Sequence, residues 1–223
     1  MSTHTLDPVL RGETASLQAN KVLRNTYALL SMTLLFSALT AGISAALNLH
    51  HPGLLLTLLG YFGLLFATTR YRNSGLGLVF VFALTGFMGY TLGPILNAYL
   101  ALANGGQLVM TAMGASGAIF LGLSGYALVS RRDFNFMGSF LMVGILVGFL
   151  AGIGAILFEM PALSLAVSAV FVLLMAGLIL YETSNIVRGG ETNYIMATVT
   201  LFISIYNLFS SLLHLLGFGF GEE

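Results

Sequence analysis

The chain has 223 residues, of which 57% are hydrophobic and 7% charged, and its basic and acidic side chains balance to zero net charge. Soluble domains carry roughly 25% charged residues, so this composition, with a mean hydropathy of +0.95, predicts an integral membrane protein. The lack of cysteine excludes disulfides, thiol catalysis and thiolate metal sites. The sequence contains no basic cluster that would indicate nucleic acid as a partner.

The first 20 residues differ from the rest of the chain because they are polar. The stretch MSTHTLDPVLRGETASLQAN contains no apolar core, and a segment of such low hydrophobicity buries too little surface to fold by itself. We therefore predict a disordered cytoplasmic arm over 1–20 and a transmembrane domain over 21–223.

Seven apolar segments follow the arm, separated by short polar connections. Each has about the length that crosses a bilayer of roughly 30 Å, and the second is the shortest. They are placed at 27–49, 54–70, 75–96, 107–129, 136–158, 162–181 and 195–217. The sequence therefore predicts an all-α membrane protein with seven transmembrane helices.

The basic residues fix the expected orientation. They precede the first span or follow the second, fourth and sixth spans: Arg11, Lys21, Arg24, Arg70, Arg72, Arg131, Arg132 and Arg188. Cytoplasmic loops are enriched in Lys and Arg. The amino terminus is therefore expected in the cytoplasm and the carboxyl terminus outside it.

Glycine patterns in two spans predict close helix packing. Span five carries Gly144, Gly148 and Gly152 at intervals of four, and such ridges of small residues let helix backbones approach each other. Span three carries three glycines before Pro94. We expect this proline to end or kink the helix near its outer end.

The seventh span carries a stripe of polar side chains at spacings of 4, 3, 4 and 3, which places them on one helical face. They are Thr200, Ser204, Asn207, Ser211 and His214. Facing lipid, these groups would lack hydrogen-bond partners. Span seven is therefore predicted to be central, with Ser204 and Asn207 hydrogen-bonding to neighbouring helices in preference to lining a conduction path.

Glu182 ends span six and is the main candidate for a functional side chain. Charged residues at membrane depth are costly and often functional, although a carboxylate at the end of a span can also be a solvated charge. Arg70 is expected at the same side of the membrane. It either pairs with Glu182 or extends toward the lipid headgroups.

Four stretches resemble the Bax inhibitor-1 family of seven-span membrane proteins. They are KVLRNTYALL (21–30), TGFMGYTLGPILN (85–97), PALSLAVSAVF (161–171) and YETSNIVRGGETNYIMATVTLFISIYNLF (181–209). The resemblance is strongest to the YccA-type branch of the bacterial inner membrane, whose members modulate the membrane-anchored ATP-dependent protease FtsH. It implies six helices around a central seventh, a non-enzymatic function, an inner-membrane location and FtsH as the partner.

The resemblance also implies an alternative function. In the wider family, an acid ending span six and an acid within span seven form a pH-responsive pair that gates a calcium leak. Glu182 matches the first position, whereas Ser204 stands at the second. Two close carboxylates titrate as a coupled pair, but a carboxylate and a hydroxyl do not. The modulator is therefore preferred, and a pH-dependent calcium or cation leak remains the alternative.

Two further patterns in the sequence bear on catalysis and metal binding. The strings around Ser116 and Ser124 resemble the GxSG of rhomboid proteases, and His214 is the candidate base. Counting from the span ends, the serines and the histidine lie at different depths, which disfavours a protease. His50 and His51 are adjacent in a turn, so they predict no metal site, and no cofactor is expected.

Overall fold

The computed structural model describes residues 8–220, with side chains described for 17–218, and this part of the chain is entirely helical apart from its connections. The helices are α1 Pro8–Ala46, α2 Leu54–Arg70, α3 Gly75–Leu100, α4 Gly105–Ser130, α5 Met137–Leu157, α6 Pro161–Val187 and α7 Tyr194–Phe220. Six of them are long and apolar enough to cross a membrane. The 17 residues of α2 span about 26 Å. The seven predicted helices are confirmed.

The amino-terminal helix is longer than the sequence predicted. α1 has 39 residues, or about 58 Å of helix, nearly twice the hydrocarbon thickness of a bilayer. The disorder predicted for the arm is therefore wrong for residues 8–20, and residues 1–7 lie outside the described part. The stretch ETASLQANK contains Glu, Ala, Leu, Gln and Lys, which favour helix, so it extends the helix nucleated by the apolar span.

Helix α7 is central, as predicted. It packs directly against α1, α3, α4 and α6, and Leu201, Phe202, Leu208 and Leu213 are fully buried along it. Side chains from α2 join the apolar cluster around Phe202, and Leu141 of α5 joins the cluster around Leu208. All six other helices thus contribute to the two clusters along α7.

Pro94 lies inside α3, and the helix continues to Leu100, so of the two predicted effects, ending or kinking the helix, the proline does not end it. Proline cannot donate the helical hydrogen bond to the carbonyl four residues earlier, which here belongs to Tyr90. That carbonyl accepts a hydrogen bond from Ser44 Oγ of α1 at 2.9 Å. A neighbouring hydroxyl therefore replaces the missing donor, as hydroxyls commonly do inside membranes.

The glycine ridge of α5 is occupied by α6. Side chains of Leu174 and Phe171 lie over Gly144 and Gly148, where a Cβ atom would meet them closely. The packing function predicted for this ridge is confirmed.

The two ends of the bundle differ in charge. At one end, the α2–α3, α4–α5 and α6–α7 connections are joined by polar contacts. Asn193 Nδ2 donates to the carbonyl of Arg72, Ser184 Oγ donates to the carbonyl of Arg132, and Arg188 pairs with Asp133 at 2.9 Å. We call this the arginine-rich end. The connections 47–53, 101–104 and 158–160 belong to the opposite end.

Candidate functional site

Glu182 lies at the arginine-rich end of α6 and is buried, with 5% of its surface exposed. The alternative of a solvated charge does not fit this position. Within residues 17–218, the structure gives its carboxyl group neither a hydrogen bond nor an ion pair; the one ion pair there joins Arg188 and Asp133. An acid buried in this way without a cation is energetically costly when charged.

Hydroxyl groups from three helices meet at Thr183, the residue that follows Glu182. Thr183 is fully buried, and its Oγ1 lies 3.3 Å from Ser124 Oγ of α4 and 3.4 Å from the Tyr27 hydroxyl of α1. We call Tyr27, Ser124 and Thr183 the hydroxyl cluster. Because each hydroxyl can both donate and accept a hydrogen bond, the cluster joins α1, α4 and α6 without a charged group.

Further polar groups lie on helices α1 and α4, which contribute to the hydroxyl cluster, and on α7. Thr198 Oγ1 of α7 donates to Tyr194 O at 2.7 Å and contacts Thr26 O at 3.3 Å. Among residues 17–218, the structure gives no hydrogen-bond partner to the buried Oγ1 of Thr26 or Oγ of Ser130. Unsatisfied buried hydroxyls are favourable positions for a water molecule or a proton-exchanging group. The chemistry available here is hydrogen bonding and proton exchange.

Arg70 does not pair with Glu182. It is exposed at the end of α2 and lines a surface depression together with Phe66, Thr69, Arg72 and Asn73. Its guanidinium carbon lies 5.8 Å from the centre of the Tyr71 ring. Of the two sequence alternatives, the structure therefore favours the arginine extended toward the membrane surface.

The polar stripe of α7 faces into the bundle, but two of its members bond differently from the prediction. Ser204 is fully buried, and its Oγ donates to Thr200 O at 2.7 Å. Asn207 Nδ2 donates to Ile203 O at 2.9 Å. Both bonds lie within α7, because a short polar side chain can satisfy itself on the carbonyl one turn earlier. The predicted interhelical bonds of Ser204 and Asn207 are absent from the described contacts.

His214 is the member of the stripe that joins helices. Its Nδ1 lies 3.2 Å from the Tyr99 hydroxyl of α3, and its Nε2 lies 3.2 Å from Ser164 Oγ of α6. The imidazole thus links three helices near the opposite end of the bundle. Ser124 belongs to the hydroxyl cluster, and Ser116 Oγ donates to Ala112 O at 2.7 Å, so neither GxSG serine bonds to this histidine.

The connection after Glu182 is ordered by its own polar groups. Gly189 ends α6 with a φ of +76°, the left-handed conformation that favours glycine at a helix end. Asn193 Oδ1 accepts the amides of Ile195 and Met196, which caps α7. Glu191 Oε1 in turn accepts the Asn193 amide. The loop therefore holds the ends of α6 and α7 at fixed positions.

Sequence reasoning identified Glu182 but missed the hydroxyl cluster. Tyr27 and Thr183 stand inside stretches that carried the family resemblance, which was the available signal. Ser124 stands in a GxSG string, which suggests catalysis and gives no indication of its hydrogen bond to Thr183. Within the described residues, no three His, Asp or Glu side chains are grouped in a way that could hold a metal ion.

Comparison with known proteins identifies the family. A family model described as "Inhibitor of apoptosis-promoting Bax1" matches residues 19–221. The chain is 52% identical over 205 residues to "Modulator of FtsH protease YccA" of Escherichia coli K12, covering 92% of this chain and 93% of that protein. "Inner membrane protein YccA" of Escherichia coli O6:H1 gives the same values.

A more distant relative extends the comparison. An uncharacterised protein of Pseudomonas aeruginosa is 49% identical over 206 residues, which cover 92% of this chain and 93% of the relative. The family model extends over nearly the whole bundle. The chain therefore belongs to the Bax inhibitor-1 family of membrane proteins.

Proposed function

We propose that this protein is a non-enzymatic, multi-pass inner-membrane protein that binds and restrains a membrane-anchored ATP-dependent protease of the FtsH type. The observation that carries the proposal is the 52% identity, over 92% of the chain, to the Escherichia coli protein named as a modulator of FtsH protease. At this identity and coverage the two chains share every helix of the bundle, so an interaction made by the bundle is expected in both.

The proposed mechanism has two parts. The amino-terminal segment 1–20 offers the protease a place to engage, since Leu17, Gln18 and Asn20 in its described part are exposed. The bundle resists extraction, because α7 is buried among its neighbours along its length. A substrate that is engaged but not extracted occupies the protease and slows its other reactions.

The surface that docks the protease is not the glycine ridge of α5. Leu174, Phe171 and Val167 of α6 already cover that ridge. Docking therefore uses another lipid-facing surface of the bundle.

The proposed orientation places the arginine-rich end and the amino terminus in the cytoplasm, and the carboxyl terminus outside it. The reason is that the three connections that contain arginine all lie at the same end of the bundle. Cytoplasmic loops are enriched in Lys and Arg. This orientation presents the amino-terminal segment to a protease whose ATP-dependent domain uses cytoplasmic ATP.

Co-purification from native membranes tests the proposal. A tagged full-length chain should recover the FtsH-type protease, and its overproduction should slow degradation of a known membrane substrate of that protease. Recovery of the protease without slower degradation of its substrate would support binding but would refute the proposal that this chain restrains the protease. A tagged chain that recovers no protease under conditions that keep membrane complexes intact would refute the proposed partner.

A pH-dependent cation leak, calcium included, is the second candidate. The observation that favours it is Glu182, a buried acid whose neighbour in the chain, Thr183, belongs to the hydroxyl cluster. Against it stands Ser204, which supplies no second carboxylate and whose hydroxyl bonds to Thr200. Calcium flux from liposomes containing the purified chain distinguishes the two functions.

A further inference from the structure

A depression of about 430 Å³ lies at the arginine-rich end where α2 passes to α3. It is lined by Phe66, Thr69, Arg70, Arg72 and Asn73. Two arginines and two neutral polar residues thus line the space, and no acidic residue does. Within residues 17–218 neither arginine has a carboxylate partner, since the one ion pair there joins Arg188 and Asp133. The depression therefore has the electrostatic character of an anion site.

The depth of the lining residues indicates what kind of anion fits. Arg70 is the last residue of the apolar helix α2, and arginines at helix ends lie at the headgroup level of a bilayer. Phe66 lies one turn, or about 6 Å, further into the membrane, and 73% of its surface is exposed. A ligand that fills this depression therefore meets cations at the membrane surface and an aromatic ring beneath them. A phospholipid has this arrangement, with its phosphate above the first carbons of its acyl chains.

The turn that carries the second arginine is held in place by other parts of the protein. Asn193 Nδ2 donates to Arg72 O at 3.1 Å and to Asn73 Oδ1 at 2.7 Å. Ser74 Oγ donates to Tyr71 O at 2.9 Å. Because Asn193 also caps α7, the depression is tied to the start of the central helix. A site whose backbone is fixed in advance loses less conformational entropy when it binds.

We propose that this depression binds the phosphate group of an anionic phospholipid, with Arg70 and Arg72 as its cationic ligands and Phe66 against the acyl chains. The planar guanidinium group presents paired N–H donors that match the oxygens of a phosphate. The two unpaired charges favour a lipid with net negative charge, such as phosphatidylglycerol, over zwitterionic phosphatidylcholine. Lipid binding at this point also stabilises the turn that Asn193 joins to α7.

The test measures lipid binding to the purified full-length chain by native mass spectrometry, with phosphatidylglycerol and phosphatidylcholine as probes. A basic residue near an anionic membrane surface contributes about fivefold in affinity, so Arg70→Gln with Arg72→Gln should weaken phosphatidylglycerol binding about 30-fold. The matched control is Arg131→Gln with Arg132→Gln. It removes the same charge from exposed residues of the same end and should leave the tightest bound lipid in place.

Lysine variants separate geometry from charge. Arg70→Lys with Arg72→Lys keeps both positive charges but removes the paired donors, so phosphatidylglycerol binding should weaken severalfold and remain above that of the glutamine variant. Equal losses from the two glutamine pairs would show general attraction of lipid to a basic surface and would overturn the proposal. Equal binding of the two lipids by the parent chain would do the same. Displacement of the lipid by equimolar inorganic phosphate would assign the site to a soluble anion instead.

Discussion

The hydrogen bond between Ser44 and the Tyr90 carbonyl allows a sharp test of how α3 tolerates Pro94. Ser44 is 1% exposed, and its Oγ donates across the α1–α3 interface at 2.9 Å. Ser44→Ala removes this donor, and Pro94 has no N–H to replace it. Pro94→Ala supplies a backbone N–H four residues after Tyr90. The two substitutions should therefore be strongly coupled.

The magnitude follows from the environment of the carbonyl. Interhelical hydrogen bonds in membranes contribute about 0.6–1.7 kcal/mol, and a buried acceptor left without a donor costs about 1–3 kcal/mol. We expect Ser44→Ala to lower the free energy of unfolding by about 1–2 kcal/mol in the parent chain. In the Pro94→Ala background the same change should cost less than about 0.5 kcal/mol, the usual range for a substitution that leaves no buried group unsatisfied.

The measurement is a double-mutant cycle of unfolding free energies in mixed micelles. Ser31→Ala is the control, because Ser31 is exposed and its Oγ donates to Tyr27 O within α1. This control substitution should change the free energy of unfolding little, both in the parent chain and in the Pro94→Ala chain. An equal cost of Ser44→Ala with and without Pro94 would refute the argument that Ser44 compensates for the proline.

Four further predictions concern the candidate site and the proposed function. Deleting residues 2–18 should leave the bundle folded and slow degradation of this chain by the protease in a pulse-chase experiment; an unchanged degradation rate would exclude the segment as the point of engagement. Asn207→Leu should change the unfolding free energy by no more than about 0.5 kcal/mol, because its amide bonds within α7, and a loss above about 1 kcal/mol would reveal a partner on another helix. His214→Phe should cost about 1–3 kcal/mol through loss of its contacts with Tyr99 and Ser164, measured by the same unfolding assay, whereas a neutral result would make the link unimportant. Liposomes with the parent chain should show little pH-dependent calcium flux and Ser204→Asp should increase it, since a second acid can couple to the first; large parental flux that Glu182→Gln abolishes would favour the leak over the modulator.

The helices could be predicted from sequence because the bilayer sets both their length and their composition. All seven occur close to the predicted positions. The boundaries differ where polar residues continue a helix beyond the apolar span. Glu182 to Val187 extend α6, and residues 8–20 extend α1. Hydropathy marks the apolar part of such a helix, whereas helix propensity and capping decide where the helix ends.

The contacts of the candidate site were much less predictable. The burial of Glu182 agrees with the suspicion raised by its position and by the family resemblance. The spacing of the α7 stripe predicted which face turns inward, but Ser204 and Asn207 bond within their own helix while His214 bonds to two others. Sequence spacing gives the direction of a side chain on a helix. The choice between an intrahelical carbonyl and a neighbouring helix depends on interhelical distances that spacing does not contain.

The helical form of residues 8–20 has a mechanical consequence for a protease that pulls on this end. As helix, these roughly 13 residues span about 20 Å, and as extended chain they reach about 45 Å. The terminal turns of a helix unwind at a small free-energy cost. Traction on the amino terminus would therefore first lengthen the segment by about 25 Å while α7 and its neighbours keep their positions. The segment provides slack between the pulling site and the membrane, and the load reaches the bundle only when that slack is used up.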